Sequence, residues 1–439
     1  MTAPTPPFGS EHAAVAATAL HWTDGDLPCS ALWRSERGAP PPKKVVLAND
    51  TITADAAYRL ACEGTALLWQ GDFQNARQLL QAMARRVDQP AKRTQRRQTA
   101  KVSIATHGAT KASAANTEAP ASAFNLHRQA QAQRARVLGM VLIPFDASYG
   151  IGLRRAPDAR QACTEAWGVA DTAAGGASVA SLRELLSLIS AHEWRKKGVE
   201  VPALGASPNN RIHPHYGVFS PVRGEYISLV AQALHNADHA AKKTKRTDNG
   251  TASFDSAFDI GTGTGVLAAV LARGGVPRVV ATDMDPRALA CAHDNLTRLH
   301  VQNEVQLLQT DLFPPGVAPL IVCNPPWLPA RPSSPIEHAV YDEGSRMLLG
   351  FLKGLAAHLA PGGEGWLVLS DLAEHLGLRT RAELLAAIDA AGLRVVARLD
   401  AKPRHPKAQD ANDPLHAARA AEVTSLWRLG VKAPQELTP

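Results

Sequence analysis

Cysteine is scarce in this chain of 439 residues: Cys29, Cys62, Cys163, Cys291 and Cys323 are odd in number, scattered and free of CxxC spacing. That excludes a disulfide framework and a cysteine zinc site, and no metal is expected. Long hydrophobic runs are also missing. No apolar stretch reaches the roughly 18 residues of a membrane helix, and the opening MTAPTPPFGSEH lacks the basic start and apolar core of a secretory signal. The expectation is a cytoplasmic protein with no membrane partner. Acidic charge is in deficit, with 40 Asp and Glu against 47 Lys and Arg, a net +7 that suits a polyanionic partner such as RNA.

What is present is enough apolar material, 45% of residues, to bury the cores of two or three domains. Residues 1–50 are Pro-rich and patternless, while Phe73, Ala76, Leu80, Met83 and Val87 form a helical stripe, so 1–87 reads as an N-terminal helical region. The stretch 88–122 contains the basic run KRTQRRQTAK and few large apolar residues; it reads as a basic flexible linker. Residues 123–212 read as a helical substrate-binding or accessory region. It opens with a helix from Leu126 to Pro144, basic at His127, Arg128, Arg134 and Arg136, and includes a second helix over 181–198 that closes at Lys196, Lys197 and Gly198. A second basic run, KKTKR, stands at 242–246.

After Gly250 short β-rich runs alternate with amphipathic helices, the texture of a parallel α/β sheet covered on both faces. The strands are FDSAFDI, RVVATD, VQLLQT, LIVCN, GWLVLS, LRVVARL and EVTSLWRL, with helical patterns at 265–273, 286–299, weakly after 312, and at 344–359. The last two strands should pair as an antiparallel hairpin.

The first strand runs from Asp259 into Gly261, Thr262, Gly263, Thr264 and Gly265 and then a helix. Glycines let the backbone turn sharply and approach a ligand closely. A dinucleotide site would place its third glycine at position 266, which is Val266; the GxGxG spacing favours an adenosyl cofactor without a pyrophosphate. Asp283, at the end of the next strand, is placed to accept both ribose hydroxyls, and Asp285 ahead of Pro286 to cap a helix. Asp311, at the end of the third strand, would meet the adenine amine, with Leu312 packed on the ring.

Asn324, Pro325, Pro326 and Trp327 follow a buried strand, where nothing structural asks for a polar side chain and two prolines. Amide and base amines are poor nucleophiles, because their lone pair is delocalised. Catalysis means aiming that lone pair and stabilising the charge that develops. The Asn324 oxygen and the Pro325 carbonyl can accept the two N–H bonds of such an amine, and Trp327 offers a flat face to a planar group.

Over about 213–430 the sequence resembles the Asn-Pro-Pro-aromatic branch of class I methyltransferases, which holds the release-factor and ribosomal-protein glutamine enzymes and ribosomal RNA guanine-N2 and adenine-N6 enzymes. The resemblance implies a Rossmann-like seven-stranded sheet of order 3-2-1-4-5-7-6 in a methyltransferase domain over 213–432, preceded by the mainly helical N-terminal region. It implies S-adenosyl-L-methionine as cofactor, held at Asp259, Gly261, Thr262, Gly263, Gly265, Asp283, Asp311, Leu312 and Asn324. HPHYGVFSPVRGEY (213–226) is similar to the segment before the family's first strand, in which Phe219, Pro221 and Glu225 match and the Phe-x-Pro turn covers the active site. Two departures stand out: Ala318 and Pro319 replace the usual aromatic-aspartate pair, and the catalytic aromatic is Trp327 rather than Tyr or Phe. In the long connection 401–420 between the last two strands, Lys402, Arg404, His405 and Lys407 would form a phosphate-contacting lip on the substrate side.

The function expected is N-methylation of a planar amine or amide, with an RNA base of ribosomal type as acceptor. The alternatives are protein glutamine N5-methylation of a release factor or ribosomal protein, and a non-catalytic RNA-binding factor on the same fold; DNA is a further acceptor with no dedicated recognition domain in view.

Overall fold

The computed structural model describes residues 18–104, 120–170, 176–244, 254–333, 335–403, 410–411 and 413–433; residues 89–104, 240–244 and 335–336 are described by backbone alone. The described residues form two compact units, within His12–His192 and Glu193–Pro439.

The first unit is built on a sheet, against the helical region expected from the sequence. Its strands are β1 (Ala19–Asp24), β2 (Leu27–Trp33), β3 (Lys44–Ala48), β4 (Thr65–Trp69), β5 (Val141–Phe145) and β6 (Ser178–Ser181), in the order β1-β2-β6-β5-β4-β3. Helices α1 (Ala54–Cys62), α2 (Phe73–Ile104), α3 (Pro120–Leu138), α4 (Arg160–Trp167) and α5 (Leu182–Lys197) complete the order of elements. The strands are four to seven residues long; β1 alternates Leu20 and Trp22 with His21 and Thr23, whereas every residue of β4 is buried. Short, continuously apolar runs such as β4 look like pieces of a buried helix, so periodicity alone does not mark them as strands.

Two boundaries move with this. The helix expected to run to Pro144 ends at Leu138, before Gly139, and VLIPF pairs antiparallel with β6. The linker expected over 88–122 is helical backbone as far as Ile104 and again from Pro120. Ala, Gln, Lys and Arg propagate a helix without needing an apolar face. The expected stripe is present, with Phe73, Ala76, Leu80 and Met83 buried, and α5 ends on Arg195, Lys196 and Lys197 as anticipated.

The second unit opens with a small ladder, β7 (Val199–Glu200) and β8 (Arg211–Ile212), and α6 (Glu225–Thr244). Its sheet then follows as β9 (Ala257–Ile260), α7 (Val266–Arg273), β10 (Val279–Asp283), α8 (Pro286–Arg298), β11 (Val305–Gln309), β12 (Ala318–Cys323), α9 (Arg346–His358), β13 (Leu359–Ser370), α10 (Leu372–His375), α11 (Arg381–Ala390), β14 (Leu393–Ala401), α12 (His416–Ala421) and β15 (Thr424–Val431). Seven strands lie in the order β11-β10-β9-β12-β13-β15-β14. The first five are parallel, and β15 runs antiparallel between β13 and β14. The weak helical pattern after 312 is no helix: Pro314, Pro315 and Gly316 leave a turn from β11 to β12. The connection between the last two strands, expected to lack a helix, carries α12.

Side chains leave β12 alternately. Leu320 and Val322 join a core with Val230, Leu267, Leu271 and Leu296, whereas Ile321 and Cys323 join one with Leu348, Phe351, Leu355 and Ile388. A strand buried on both faces must end in a loop, and β9, β10, β11 and β12 deliver Asp259, Asp283, Asp311 and Asn324 to one end of the sheet.

Candidate active site

The glycine loop follows β9. Gly261, Gly263 and Gly265 have φ of +72°, +55° and +79°, a left-handed backbone that L side chains rarely adopt. A Cβ on Gly261 would collide with Met347, and one on Gly265 would press to 3.1 Å from the Ala292 Cβ of α8. A Cβ on Gly263 would meet nothing within 4 Å, so this turn faces open space.

Asp259 is 1% exposed, and its Oδ2 accepts hydrogen bonds from Thr262 Oγ1 at 2.7 Å and Ala268 N–H at 3.0 Å. It ties the loop to the start of α7. Burial pushes its carboxyl up to about 6, against the two hydrogen bonds. Asp283 accepts from Gly263 N–H at 3.0 Å through Oδ2 and from Asp285 N–H at 3.0 Å through Oδ1. It therefore holds a carboxylate against the loop opening, and burial raises its pKa. Asp285 caps α8 through Arg287 N–H, with Pro286 at the first position. An adenosyl ligand fits these groups: the glycine turn is open at Gly263, and Asp283 beside it has acceptor capacity for ribose hydroxyls.

Asp311 is exposed and ion-paired to Arg346 Nη1 at 3.2 Å. Leu312 has φ +68°, its carbonyl accepting from Thr282 Oγ1 at 2.6 Å. Arg346 also lies 3.5 Å from Met284 Sδ. It is a site residue that pattern reading passed over, because as the first residue of α9 it belongs to no motif.

Asn324 leaves the end of β12 half-buried, followed by buried Pro325 and half-buried Pro326 and Trp327. The Trp327 indole N–H donates to Asn324 Oδ1 at 2.9 Å. Indole is only a donor, so the bond fixes the oxygen end of the amide; one Oδ1 lone pair is taken and one remains. A pocket of about 140 Å3 is lined by Phe219, Asn324, Pro325 and Trp327, together with Arg223 and Tyr226. Pro221 and Pro326 do not line it, and Arg404, His405 and Lys407 lie outside the described residues. Arg223 and Tyr226 flank Glu225, the residue of that segment singled out from sequence. Tyr226 is 3% exposed, and burial raises its phenol above the ordinary value, so it stays neutral. Cys323, next to Asn324, is fully buried with its thiol pushed up, which removes it as a nucleophile. Among the described residues no three His, Cys, Asp or Glu side chains are grouped to hold a metal ion, and no helix is long and apolar enough to cross a membrane.

Residues 242–326, which include the glycine loop, Asp283 and the start of the Asn324 turn, match the family described as ribosomal protein L11 methyltransferase (PrmA). Ribosomal protein L11 methyltransferase of Pelotomaculum thermopropionicum is 36% identical over 32% of this chain and 39% of its own length. Release factor glutamine methyltransferase of Cereibacter sphaeroides is 32% identical over 34% of this chain and 58% of its own. The chain thus spans less than two thirds of these relatives. Among solved structures, the ribosomal protein L11 methylase of Lactobacillus delbrueckii subsp. bulgaricus is 16% identical over 49% of this chain and 83% of that one, with a TM-score of 0.32. An S-adenosylmethionine-dependent methyltransferase of Clostridium acetobutylicum is 11% identical over 40% and 84%, with a TM-score of 0.29. The matched residues 242–326 lie within the longer segment, about 213–430, that resembles class I methyltransferases in sequence.

Proposed function

We propose that this protein is an S-adenosylmethionine-dependent N-methyltransferase whose acceptor is a planar amide or amine nitrogen on a protein of the translation apparatus. The observation that carries it is the pairing, at one end of one sheet, of Asp283 hydrogen-bonded across the glycine loop with an Asn324 amide whose oxygen is held at a pocket. When bound, S-adenosylmethionine supplies an electrophilic methyl group on a sulfonium. Asp283 accepts the ribose hydroxyls, and Asp259 keeps the loop folded beneath them. Asn324 Oδ1 and the Pro325 carbonyl accept the two N–H bonds of the acceptor and so aim its lone pair. As that nitrogen gains a bond its N–H groups become more acidic, and the hydrogen bonds to Asn324 and Pro325 strengthen. The interaction is therefore worth more in the transition state than before it. Neither group takes the proton; it leaves to solvent after transfer.

The names of the relatives support one class of acceptor over the other. They act on a ribosomal protein and a release factor, which supports a protein nitrogen over the RNA base expected from net charge. The basic helix adds little to the RNA reading, since Arg134 is ion-paired to Asp88 at 2.9 Å. The test is transfer of tritiated methyl groups to separated ribosomal-protein, release-factor and RNA fractions. Label is expected in one protein fraction, falling about a hundredfold in Asn324→Ala. Label confined to RNA would move the acceptor; label indifferent to Asn324→Ala would sink the mechanism.

A further inference from the structure

Trp327 lies between two groups with different demands. On its edge is Asn324, reached through the indole N–H at 2.9 Å. Over its face is Arg223, with the guanidinium carbon 4.8 Å from the ring centroid. Arg223 is itself pinned at two points. Its Nε donates to Glu225 Oε1 at 3.0 Å, and its Nη2 donates to Glu422 Oε1 at 2.9 Å. Glu422 is 1% exposed and its Oε1 also accepts from Ser370 Oγ at 2.6 Å, so the brace is anchored where β13 ends and β15 begins.

We infer that Arg223 is a positioning residue for the methyl acceptor: stacked on Trp327 and braced by Glu422, it holds the indole N–H on Asn324 and so fixes which end of the Asn324 amide faces the pocket. The inference rests on the proposed N-methyl transfer and deepens it. An asparagine amide rotated by 180° would offer the acceptor two N–H donors where it needs an oxygen, and a neutral side chain has little else to choose between the two states. The indole chooses, because it can only donate. A cation over the ring draws on its π density and makes the N–H a better donor. The guanidinium fork, held by two carboxylates, keeps the ring from tilting away. One Oδ1 lone pair then remains for one acceptor N–H, and the Pro325 carbonyl takes the other. On this reading tryptophan in the fourth position of the turn is a clamp as well as a platform.

A double-mutant cycle on the full chain tests this. Trp327→Phe keeps the ring and its stacking but deletes the N–H; Arg223→Lys keeps the charge but loses the fork. Each alone should lower kcat about tenfold, with KM and the cofactor dissociation constant changed by no more than about twofold. The double variant should be no slower than Trp327→Phe, because Arg223 acts through that N–H. Wild-type kcat in either single variant, multiplying effects, or lost cofactor affinity in Arg223→Lys would each overturn the inference. A second measurement needs no turnover: the Trp327 indole N–H resonance should shift and exchange faster in Asn324→Ala and in Arg223→Lys. An indole resonance unmoved by Asn324→Ala overturns the clamp. Should the wild type methylate no acceptor, the proposed reaction fails, and the indole resonance still decides the clamp separately.

Discussion

Asp259 and Asp283 are both carboxylates raised by burial, but they do different work, and pH separates them. For Asp259 the folded value of about 6 stands above the ordinary unfolded value of about 3.9. Between those limits the folded state binds the extra proton, so the contribution of Asp259 to stability falls as pH rises from about 4 to about 6 and is level above. The whole effect is about 3 kcal/mol. Denaturant unfolding of Asp259→Asn at pH 4 and pH 7 should show the variant gaining on the wild type by that order; a constant difference would mean the carboxylate is not strained by burial. Asp283 is the residue proposed to meet the ribose hydroxyls. Removing its charge in Asp283→Asn leaves an acceptor for Gly263 N–H but weakens the ribose contacts, so cofactor affinity should fall about tenfold to a hundredfold by calorimetry. These acids were legible in the sequence because each ends a strand and abuts a glycine turn or a capped helix. Arg223, Tyr226 and Arg346 were not. The Arg223 partner Glu422 lies 199 residues away, and no local spacing records a contact of that range.

Elements differ in how plainly they announce themselves. The seven strands of the large sheet in Glu193–Pro439 overlap the runs drawn from sequence, because strands of a covered parallel sheet are largely apolar and bounded by glycine, proline or aspartate. The same rule failed in His12–His192, where VVLA, TALLW and SVAS are short enough to read as pieces of a buried helix. It failed again at Gly139, where a helical pattern ran on into a strand that Pro144 did not forbid, since β5 carries that proline opposite Val179. In the second unit α9 covers one sheet face through Phe351, which is fully buried against Ile260, Ile321 and Leu367. Phe351→Ala removes a ring that no neighbour can replace and should cost about 3 to 5 kcal/mol in denaturant unfolding. A loss under about 1 kcal/mol would show that α9 repacks and is not a rigid wall behind the glycine loop.

At the scale of the molecule, each unit has a sheet of its own, and the residues proposed to hold the cofactor belong to one of them. A ligand that binds only a folded form stabilises that form, by about 2.7 kcal/mol at a hundred times its dissociation constant. In scanning calorimetry S-adenosylmethionine should therefore raise the unfolding of Glu193–Pro439 and leave that of His12–His192 in place; an equal rise in both would show that they unfold as one. The strand order carries a last consequence, which concerns time. β15 lies between β13 and β14 although it is made after both, and Glu422 precedes it by two residues. A growing chain can present the glycine loop and the Asn324 turn long before residues 422–431 leave the ribosome. Until they do, β14 has no neighbour to pair with, and Arg223 lacks one of its two braces. Vectorial synthesis thus leaves the pocket beside Asn324, the proposed acceptor site, to be finished last, after the strands that carry the glycine loop are already made.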